Sequence, residues 1–400
     1  MDSHDNPPAL EREDFTEQQA AGVAALINLA DPPRSLAPAR HRKRRKELTV
    51  TLPLPRLRHV AQACAIAVTA ALVAVTALYL VDRPAPAATG AARPYVWPHG
   101  APIGITLSGL QDYIMTPAVI ATMERQARAA RYFWHANTIR YQILQDRLVG
   151  ADGTRYAPYY MRDIRAVTNY TLHLGMTVVL NAQTEQSTGY ARNEPLPTKA
   201  TYIFWKRIAR YYAGNRHVVL DLFNEPRHCT WGEWYDVHQG LVTALRREHV
   251  TNWLWVEGRW WGATLEGVPL IRDPLHRVVY TFHHPGAPKP WQAPVTTATW
   301  DAAFGNLANR GVPVVDGEFA NYVGSYDWAW PQLPGGHPGV LVRQYLAYLT
   351  AHHIGMLAWS LVPGALNQTL HYTSASREPQ GDGELVRAWF RATASHRPHP

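Results

Sequence analysis

Eight short apolar stretches constrain the fold of this chain more than any other feature of its sequence. They occupy residues 103–107, 136–141, 176–181, 218–223, 253–256, 278–282, 312–315 and 356–359. Continuous apolar runs of this length, bounded by turn residues, are typical of strands that are buried on both faces, as in parallel sheets. The sequence therefore predicts eight parallel strands.

The segments between these stretches carry the punctuation of helices. Thr116 and Pro117 form a cap and first residue ahead of an amphipathic pattern, and Gly214 and Gly311 mark helix ends. Strands that alternate with helices in this way predict an α/β fold, a (β/α)8 TIM barrel. An open doubly wound sheet is the alternative, but no glycine-rich phosphate loop follows the first strand.

The first hundred residues have a different character from the rest. Residues 1–58 are rich in proline, arginine and acidic residues, which predicts a disordered tail. Residues 60–81 contain no charge and are long enough to cross a bilayer core of about 30 Å, so residues 59–81 are predicted to be one transmembrane helix. A cleaved signal peptide is the alternative, because small residues follow at 85–88. Residues 82–97 then form a linker, and residues 98–400 form the barrel.

The charge distribution predicts the orientation of this span. The chain carries a net charge of +8, and a basic cluster at residues 40–46 lies N-terminal to the apolar segment. The positive-inside rule then places the N-terminus in the cytoplasm and the barrel outside the plasma membrane. The cluster could instead bind nucleic acid or anionic lipid, but it is better explained as a topology signal. We expect no nucleic-acid partner and a monomer.

Two glutamates stand where apolar strands end. Glu225 follows the run at residues 218–223, and Glu318 follows the run at residues 312–315. Each glutamate alone could be a solvated loop acid. In a TIM barrel, however, the ends of the fourth and seventh strands meet at the C-terminal face, where the chemistry of this fold lies. The matched pair therefore predicts one site with two carboxyl groups.

Five motifs, taken in order, resemble glycoside hydrolase family 5, the cellulase-type enzymes of glycoside hydrolase clan A. They are NTIR at residues 137–140, LFNEP at 222–226, YTFH at 280–283, DGEF at 316–319 and AWS at 358–360. The resemblance covers roughly residues 102–359. It implies a glycosidase that cleaves a β-linked polysaccharide with retention of configuration, with no cofactor and no metal.

The resemblance also implies a role for each matching residue. Glu225 would be the general acid/base and Glu318 the nucleophile, oriented by Arg140. Asn224 would donate a hydrogen bond to the sugar hydroxyl beside the reacting carbon, a bond that strengthens in the transition state. The residues expected to bind substrate are Arg140, Asn224, His283, Tyr280 and Trp359.

Two departures from the family pattern bear on function. Residues 180–185 carry amides where many relatives have a histidine, and Pro285 stands where relatives carry a tyrosine that bonds to the nucleophile. A carbohydrate-binding pseudoenzyme on the same barrel is therefore the alternative to an active glycosidase. Intact Glu225, Glu318 and Arg140 argue against it.

The remaining candidates carry weaker signals. Tryptophans in the strand-to-helix connections could line further sugar subsites or only pack the core: Trp260, Trp261, Trp291, Trp328 and Trp330. The two cysteines, Cys64 and Cys229, form neither a disulfide framework nor a metal cluster. Cys229 follows the fourth strand closely, but it lacks a partner base and is predicted to be a bystander.

Overall fold

The computed structural model describes residues 94–98, 100–112, 115–184, 194–283, 296–319, 338–361, 371–372, 379–380 and 383–395. The predicted tail, the predicted transmembrane segment and most of the predicted linker lie outside these residues. None of the helices formed by the described residues is both long and apolar enough to cross a bilayer. The predicted span at residues 59–81 therefore remains a prediction.

Eight parallel strands close into a barrel in the order in which they occur along the chain. This confirms the predicted TIM-barrel architecture, and each predicted apolar stretch contributes a strand. The strands are β1 (Ile103–Leu107), β2 (Thr138–Leu144), β3 (Thr177–Gln183), β4 (Val218–Asp221), β5 (Leu254–Glu257), β6 (Val278–His283), β7 (Val314–Phe319) and β8 (Gly355–Ala358).

Helices surround the barrel, and the sequence signals mark several of their ends. The Thr116 side chain accepts a hydrogen bond from the backbone N–H of Val119 and so caps the helix that begins at Pro117. Between β5 and β6, by contrast, residues 258–277 form turns rather than a helix. The longer helices are Pro117–Tyr132, Pro158–His173, Lys199–Tyr212, Trp231–Arg247, Pro338–Ala351 and Gly383–Ser395, and the shorter ones are Gly109–Asp112, Gln145–Val149, Thr297–Trp300, a π-helical turn at Asp301–Gly305 and Asn306–Asn309. A two-stranded antiparallel pair, His371–Tyr372 with Pro379–Gln380, precedes the last helix.

A small apolar layer lies inside the barrel. It consists of one buried side chain from each of β3 to β8, namely Val179, Val219, Trp255, Val279, Val315 and Leu357. Trp97 packs against this layer, and its indole N–H donates to the backbone oxygen of His353 at 2.8 Å. Trp97, the last residue of the predicted linker, is therefore in contact with the barrel.

Several strands extend beyond their apolar stretches into buried polar residues. The predicted stretches end at residues 141, 282 and 315, whereas β2, β6 and β7 continue to Leu144, His283 and Phe319. Alternate residues of these extensions face the barrel interior, where Gln142 and Glu318 are hydrogen-bonded to each other. Apolar periodicity does not detect such strand ends, because their buried side chains are polar.

A bulge in β7 aligns two of these polar residues. Phe282 is paired with Asp316, but the next residue, His283, is paired with Glu318, so Gly317 is the extra residue of β7. Bulges re-aim side chains and are common beside active sites. In consequence Asp316 accepts a hydrogen bond from the Tyr345 hydroxyl of an outer helix at 2.6 Å, whereas Glu318 turns toward Arg140 in the barrel.

Candidate active site

Arg140 is the centre of a polar layer that lies above the apolar layer of the barrel. Its guanidinium is fully buried and donates through Nε to Asp221 Oδ2 at 2.8 Å and through Nη2 to Glu257 Oε1 at 2.9 Å. Nη1 donates to Glu318 Oε1. Burial opposes the charged form, but the carboxylates of Glu318, Asp221 and Glu257 outweigh it and raise the pKa of Arg140.

Glu318 is held by two donors from β2. Arg140 and the amide of Gln142 both donate to Oε1, the latter at 2.9 Å. The side chain is only 6% exposed, so one carboxylate oxygen is fixed on the protein. The sequence predicts that Glu318 lacks one supporting hydrogen bond, because Pro285 stands where relatives have a tyrosine. Pro285 lies outside the described residues, and Gln142 supplies a donor that the sequence analysis did not identify.

Glu225 has a strained backbone and is held by its neighbours. Its φ angle is 50°, a left-handed value that costs a glutamate about 1–3 kcal/mol. Its N–H donates to Glu257 Oε2 at 2.6 Å, and its carbonyl accepts from the Arg227 guanidinium at 3.3 Å. These bonds hold a backbone conformation that aims the carboxyl group at the cleft.

His283 connects the two catalytic candidates. Its Nδ1 lies 2.9 Å from Glu225 Oε1 and 3.9 Å from Glu318 Oε2, and its Nε2 lies 3.4 Å from Glu257 Oε2. The imidazole is closely approached by two glycines: a Cβ on Gly262 would lie 2.9 Å from His283 Cγ, and a Cβ on Gly317 would lie 2.9 Å from Nε2. The position of the ring therefore depends on glycine at residues 262 and 317 as well as on its hydrogen bond to Glu225.

Glu257 is the most deeply buried acid of the layer. It accepts hydrogen bonds from Arg140, from the Glu225 N–H and, at 3.3 Å, from the Asn181 amide. Burial, together with Asp221 and Glu318, raises its pKa well above the ordinary value despite the opposing effects of Arg140 and the Glu225 N–H. Burial and the neighbouring carboxylates thus favour the protonated form of Glu257.

The two catalytic candidates are close neighbours. An atom from each of Glu225, His283 and Glu318 lies within 4.8 Å of the other two. Such a group could also hold a metal ion, but the resemblance implies no metal, and protein donors already contact these side chains. The structure thus brings two carboxyl groups and one imidazole into a single cluster.

Asn224 and Trp359 complete the wall of the site. Asn224 is buried, and its Oδ1 accepts from Arg140 Nη2 at 2.8 Å, so its amide nitrogen faces away from the arginine. The Trp359 indole N–H lies 3.4 Å from the Gln142 side-chain oxygen, and its ring is partly exposed. The structure thus brings Arg140, Asn224, His283 and Trp359 together with both glutamates.

Tyr280 does not join this group. It alternates with the inward-facing Val279, packs in the layer between the barrel and its helices, and is 3% exposed. Its hydroxyl accepts from the Ile271 N–H at 2.6 Å, and burial raises its pKa. The prediction that Tyr280 binds substrate therefore has no support in its position, because strand alternation directs its side chain away from the cleft.

Three members of the polar layer were not predicted from the sequence: Gln142, Asp221 and Glu257. Gln142 is two residues after Arg140 on β2, so the period of a strand could have placed it on the same face. Glu257 ends the run at residues 253–256 as Glu225 and Glu318 end theirs. The same pattern could have identified it.

The remaining residues singled out in the sequence lie beside the site, in the polar layer or outside the described residues. Trp260 and Trp261 lie in the connection after β5, and the Trp261 N–H donates to the Pro226 carbonyl at 3.1 Å, beside Glu225. Asn181 donates to Asp221 at 3.0 Å within the polar layer rather than toward a ligand. Burial raises the pKa of the Cys229 thiol to about 12, which makes it a poor nucleophile. Cys64, Glu185, Trp291, Trp328 and Trp330 lie outside the described residues.

Known proteins share this sequence pattern and this fold. Endo-beta-1,4-glucanase B of Emericella nidulans is 24% identical over 155 residues, which are 37% of this chain and 46% of that protein. The chain thus spans about half the length of this curated relative.

Solved structures share the barrel. An endo-beta-1,4-glucanase from Xanthomonas axonopodis pv. citri superimposes with a TM-score of 0.57 at 18% identity, covering 74% of this chain and 99% of that one. A GH5 family lichenase from Caldicellulosiruptor sp. F32 gives a TM-score of 0.54 at 14% identity, covering 78% of this chain and all of that one, 100%. At such identities the likeness concerns the fold alone.

A family model matches most of the chain, and its range contains every motif that carried the resemblance. The model is Cellulase (glycosyl hydrolase family 5), and it matches residues 99–364. The barrel, the two strand-end glutamates and this match agree: the chain belongs to the cellulase family of glycosyl hydrolases, family 5.

Proposed function

We propose that this chain hydrolyses a β-1,4-linked glucan by a double displacement that retains the anomeric configuration. The observation that carries the proposal is the contrast between two carboxyl groups that have atoms within 4.8 Å of each other. Glu318 is held by Arg140 and Gln142, whereas Glu225 contacts an imidazole. Retaining glycosidases need such a close pair, about 5–5.5 Å apart, and inverting enzymes need a wider one.

The first step forms a glycosyl-enzyme. A carboxylate oxygen of Glu318 attacks the anomeric carbon while Glu225 donates its proton to the glycosidic oxygen, and the bond to the leaving sugar breaks. The Arg140 and Gln142 donors hold the attacking group in place. The amide nitrogen of Asn224, which faces away from Arg140, is oriented to donate to the neighbouring sugar hydroxyl.

The second step returns the enzyme to its starting state. Glu225, now ionised, removes a proton from water, and the water oxygen attacks the anomeric carbon as the bond to Glu318 breaks. The name of the Emericella nidulans relative, an endo-beta-1,4-glucanase, supports a β-1,4-glucan as substrate. Trp359, partly exposed beside Gln142, is proposed to stack against a sugar ring.

Two substitutions separate the proposed roles. Glu318→Gln should abolish turnover of every substrate, because an amide cannot form the ester. Glu225→Gln should still react with a dinitrophenyl cellobioside, whose leaving group needs no proton, and then stall. Added azide should rescue this variant and release a β-glycosyl azide.

The control is Glu384→Gln, an acid-to-amide change on an exposed helix residue, which should leave kcat and KM unchanged. An α-glycosyl azide, or activity that survives in Glu318→Gln, would refute the assignment. A wild-type chain that binds cello-oligosaccharides without cleaving them would favour the binding-protein alternative.

We also propose that the barrel acts outside the plasma membrane, anchored by the apolar segment at residues 60–81 with the N-terminus in the cytoplasm. The support is the uncharged length of that segment and the basic cluster before it.

A further inference from the structure

Glu257 contacts three residues of the proposed catalytic site, namely Arg140, Glu225 and His283. Its Oε1 accepts from Arg140 at 2.9 Å, and its Oε2 accepts from the Glu225 N–H at 2.6 Å and lies 3.4 Å from His283 Nε2. The other ring nitrogen, Nδ1, lies 2.9 Å from Glu225 Oε1. Glu257, His283 and Glu225 therefore form a chain of carboxyl, imidazole and carboxyl groups.

The surroundings of Glu257 favour its protonated form. The charged and titratable groups that face it are Arg140, Asp221, Glu225, His283 and Glu318. Arg140 forms ion pairs with three carboxyl groups, those of Glu257, Asp221 and Glu318. Full burial makes a third charge costly, and the pKa of Glu257 is raised accordingly.

The protonation of Glu257 decides which ring nitrogen of His283 carries hydrogen. A protonated Oε2 would donate to Nε2, which leaves the hydrogen of the neutral ring on Nδ1, from where it is donated to Glu225 Oε1. An ionised Oε2 would instead draw the hydrogen to Nε2. Nδ1 would then accept the proton of Glu225 and hold it away from the substrate.

We propose that Glu257 is a positioning residue that fixes the tautomer and orientation of His283 and so commits one oxygen of Glu225 to the imidazole. The other oxygen of Glu225 then carries the proton for the glycosidic oxygen. No proton passes through His283 or Glu257, because Glu225 loses its proton to the leaving sugar and regains one from water. Glu257 also holds the strained backbone of Glu225 through its N–H. This inference rests on the proposed role of Glu225.

The kinetic test compares two buried acid-to-amide changes beside the same arginine. In Glu257→Gln, the atom that replaces Oε2 is either an amide oxygen or an amide nitrogen. It can therefore accept from the Glu225 N–H or donate to His283, but it cannot do both. This variant should lower kcat/KM about 100-fold on cello-oligosaccharides but less than about 10-fold on dinitrophenyl cellobioside, which needs no acid. Asp221→Asn, which contacts Arg140 and Asn181, should slow both substrates by similar factors. Equal losses on both substrates in Glu257→Gln would overturn the proposal.

A second measurement needs no altered Glu257. Nitrogen-15 NMR of histidine-labelled wild-type chain at neutral pH should show His283 with hydrogen on Nδ1 and none on Nε2, the signal being assigned by its loss in His283→Asn. Hydrogen on Nε2 would overturn the inference, even where Glu257→Gln fails to fold. If the chain has no hydrolytic activity but His283 carries hydrogen on Nδ1, the proposed function is refuted. The inference that Glu257 fixes the tautomer of His283 is then still supported.

Discussion

At the scale of single residues, the site depends on groups that limit how others can move. Gly317 is the extra residue of the β7 bulge and lies against the His283 ring, and Gly262, with a φ of 75°, lies against the same histidine. Glycine is required at these positions because the His283 side chain occupies the space that a Cβ would need. The hydrogen bond between His283 and Glu225 is thus set by backbone geometry as well as by side-chain chemistry.

Gly317→Ala should therefore displace the His283 ring. The added Cβ would lie 2.9 Å from Nε2 and 3.1 Å from Cδ2, which are contacts that a fully buried ring can relieve only by moving. We expect kcat on cello-oligosaccharides to fall about 10- to 100-fold, because small errors in the placement of an acid/base are costly.

The control for this change is Gly232→Ala. Gly232 is exposed near the start of a helix, and the nearest atom to an added Cβ there is Thr230 Oγ1 at 3.8 Å. This variant should keep full activity and gain stability, by about 0.5–1 kcal/mol. Unchanged kinetics in Gly317→Ala would show that the His283 position does not limit catalysis.

At the scale of elements, the helix Trp231–Arg247 contains a buried histidine that should make the stability of the barrel depend on pH. Its N-terminus is closed by a capping box in which Thr230 and Glu233 bond to each other's backbone N–H. Further along, His238 is fully buried, donates from Nδ1 to the Trp234 carbonyl at 2.8 Å and stacks on the Trp234 ring. Burial lowers the pKa of His238 to about 4.

This shift predicts a loss of stability in acid. The unfolded chain takes up a proton at His238 below a pH of about 6.5, whereas the folded chain does so only near its own lower pKa. Stability from the neutral histidine is therefore complete above that pH and is lost as the pH falls toward 4. Between pH 7.5 and 4.5, the free energy of unfolding should fall by about 2–3 kcal/mol more in the wild type than in His238→Phe.

Urea unfolding at both pH values measures this difference. Each variant serves as its own reference at pH 7.5, so a packing change caused by phenylalanine cancels from the comparison. An equal acid loss in both proteins would mean that His238 does not contribute to the pH dependence.

At the scale of the whole molecule, the chain carries a family 5 barrel and, before it, an N-terminal region with an uncharged segment. The barrel is built from described residues, and its family membership follows from a match over residues 99–364. The location of the barrel rests on sequence alone, on an uncharged segment at residues 60–81 and a basic cluster at residues 40–46.

We expect the full chain to fractionate with membranes and to resist extraction by high salt or alkaline carbonate. Protease added to intact cells should digest the barrel and leave residues 1–50 protected, because the positive-inside rule places those residues in the cytoplasm. Cleavage of residues 1–50 with a protected barrel would reverse the orientation. A mature chain that begins near Ala88 would identify the segment as a cleaved signal peptide.

The sequence by itself determined the eight strands and the two glutamates at the ends of β4 and β7, because both signals are local. An apolar run followed by a carboxylate can be recognised in the sequence without knowing which residues surround it in the fold. Closure of the barrel then brings Glu225 and Glu318 together. Thr116 and Pro117 likewise mark a helix start through bonds within a single turn.

Only the tertiary structure decided what surrounds those glutamates. The bulge that aligns His283 with Glu318 is a shift between two strands, and neither strand encodes it alone. Gln142 and Glu257 acquire their roles from Glu318, Arg140 and Glu225, residues distant in sequence that parallel pairing brings within hydrogen-bond reach. Protonation of a buried acid depends on the sum of charges and burial around it, which is a property of the assembled barrel rather than of any stretch of the chain.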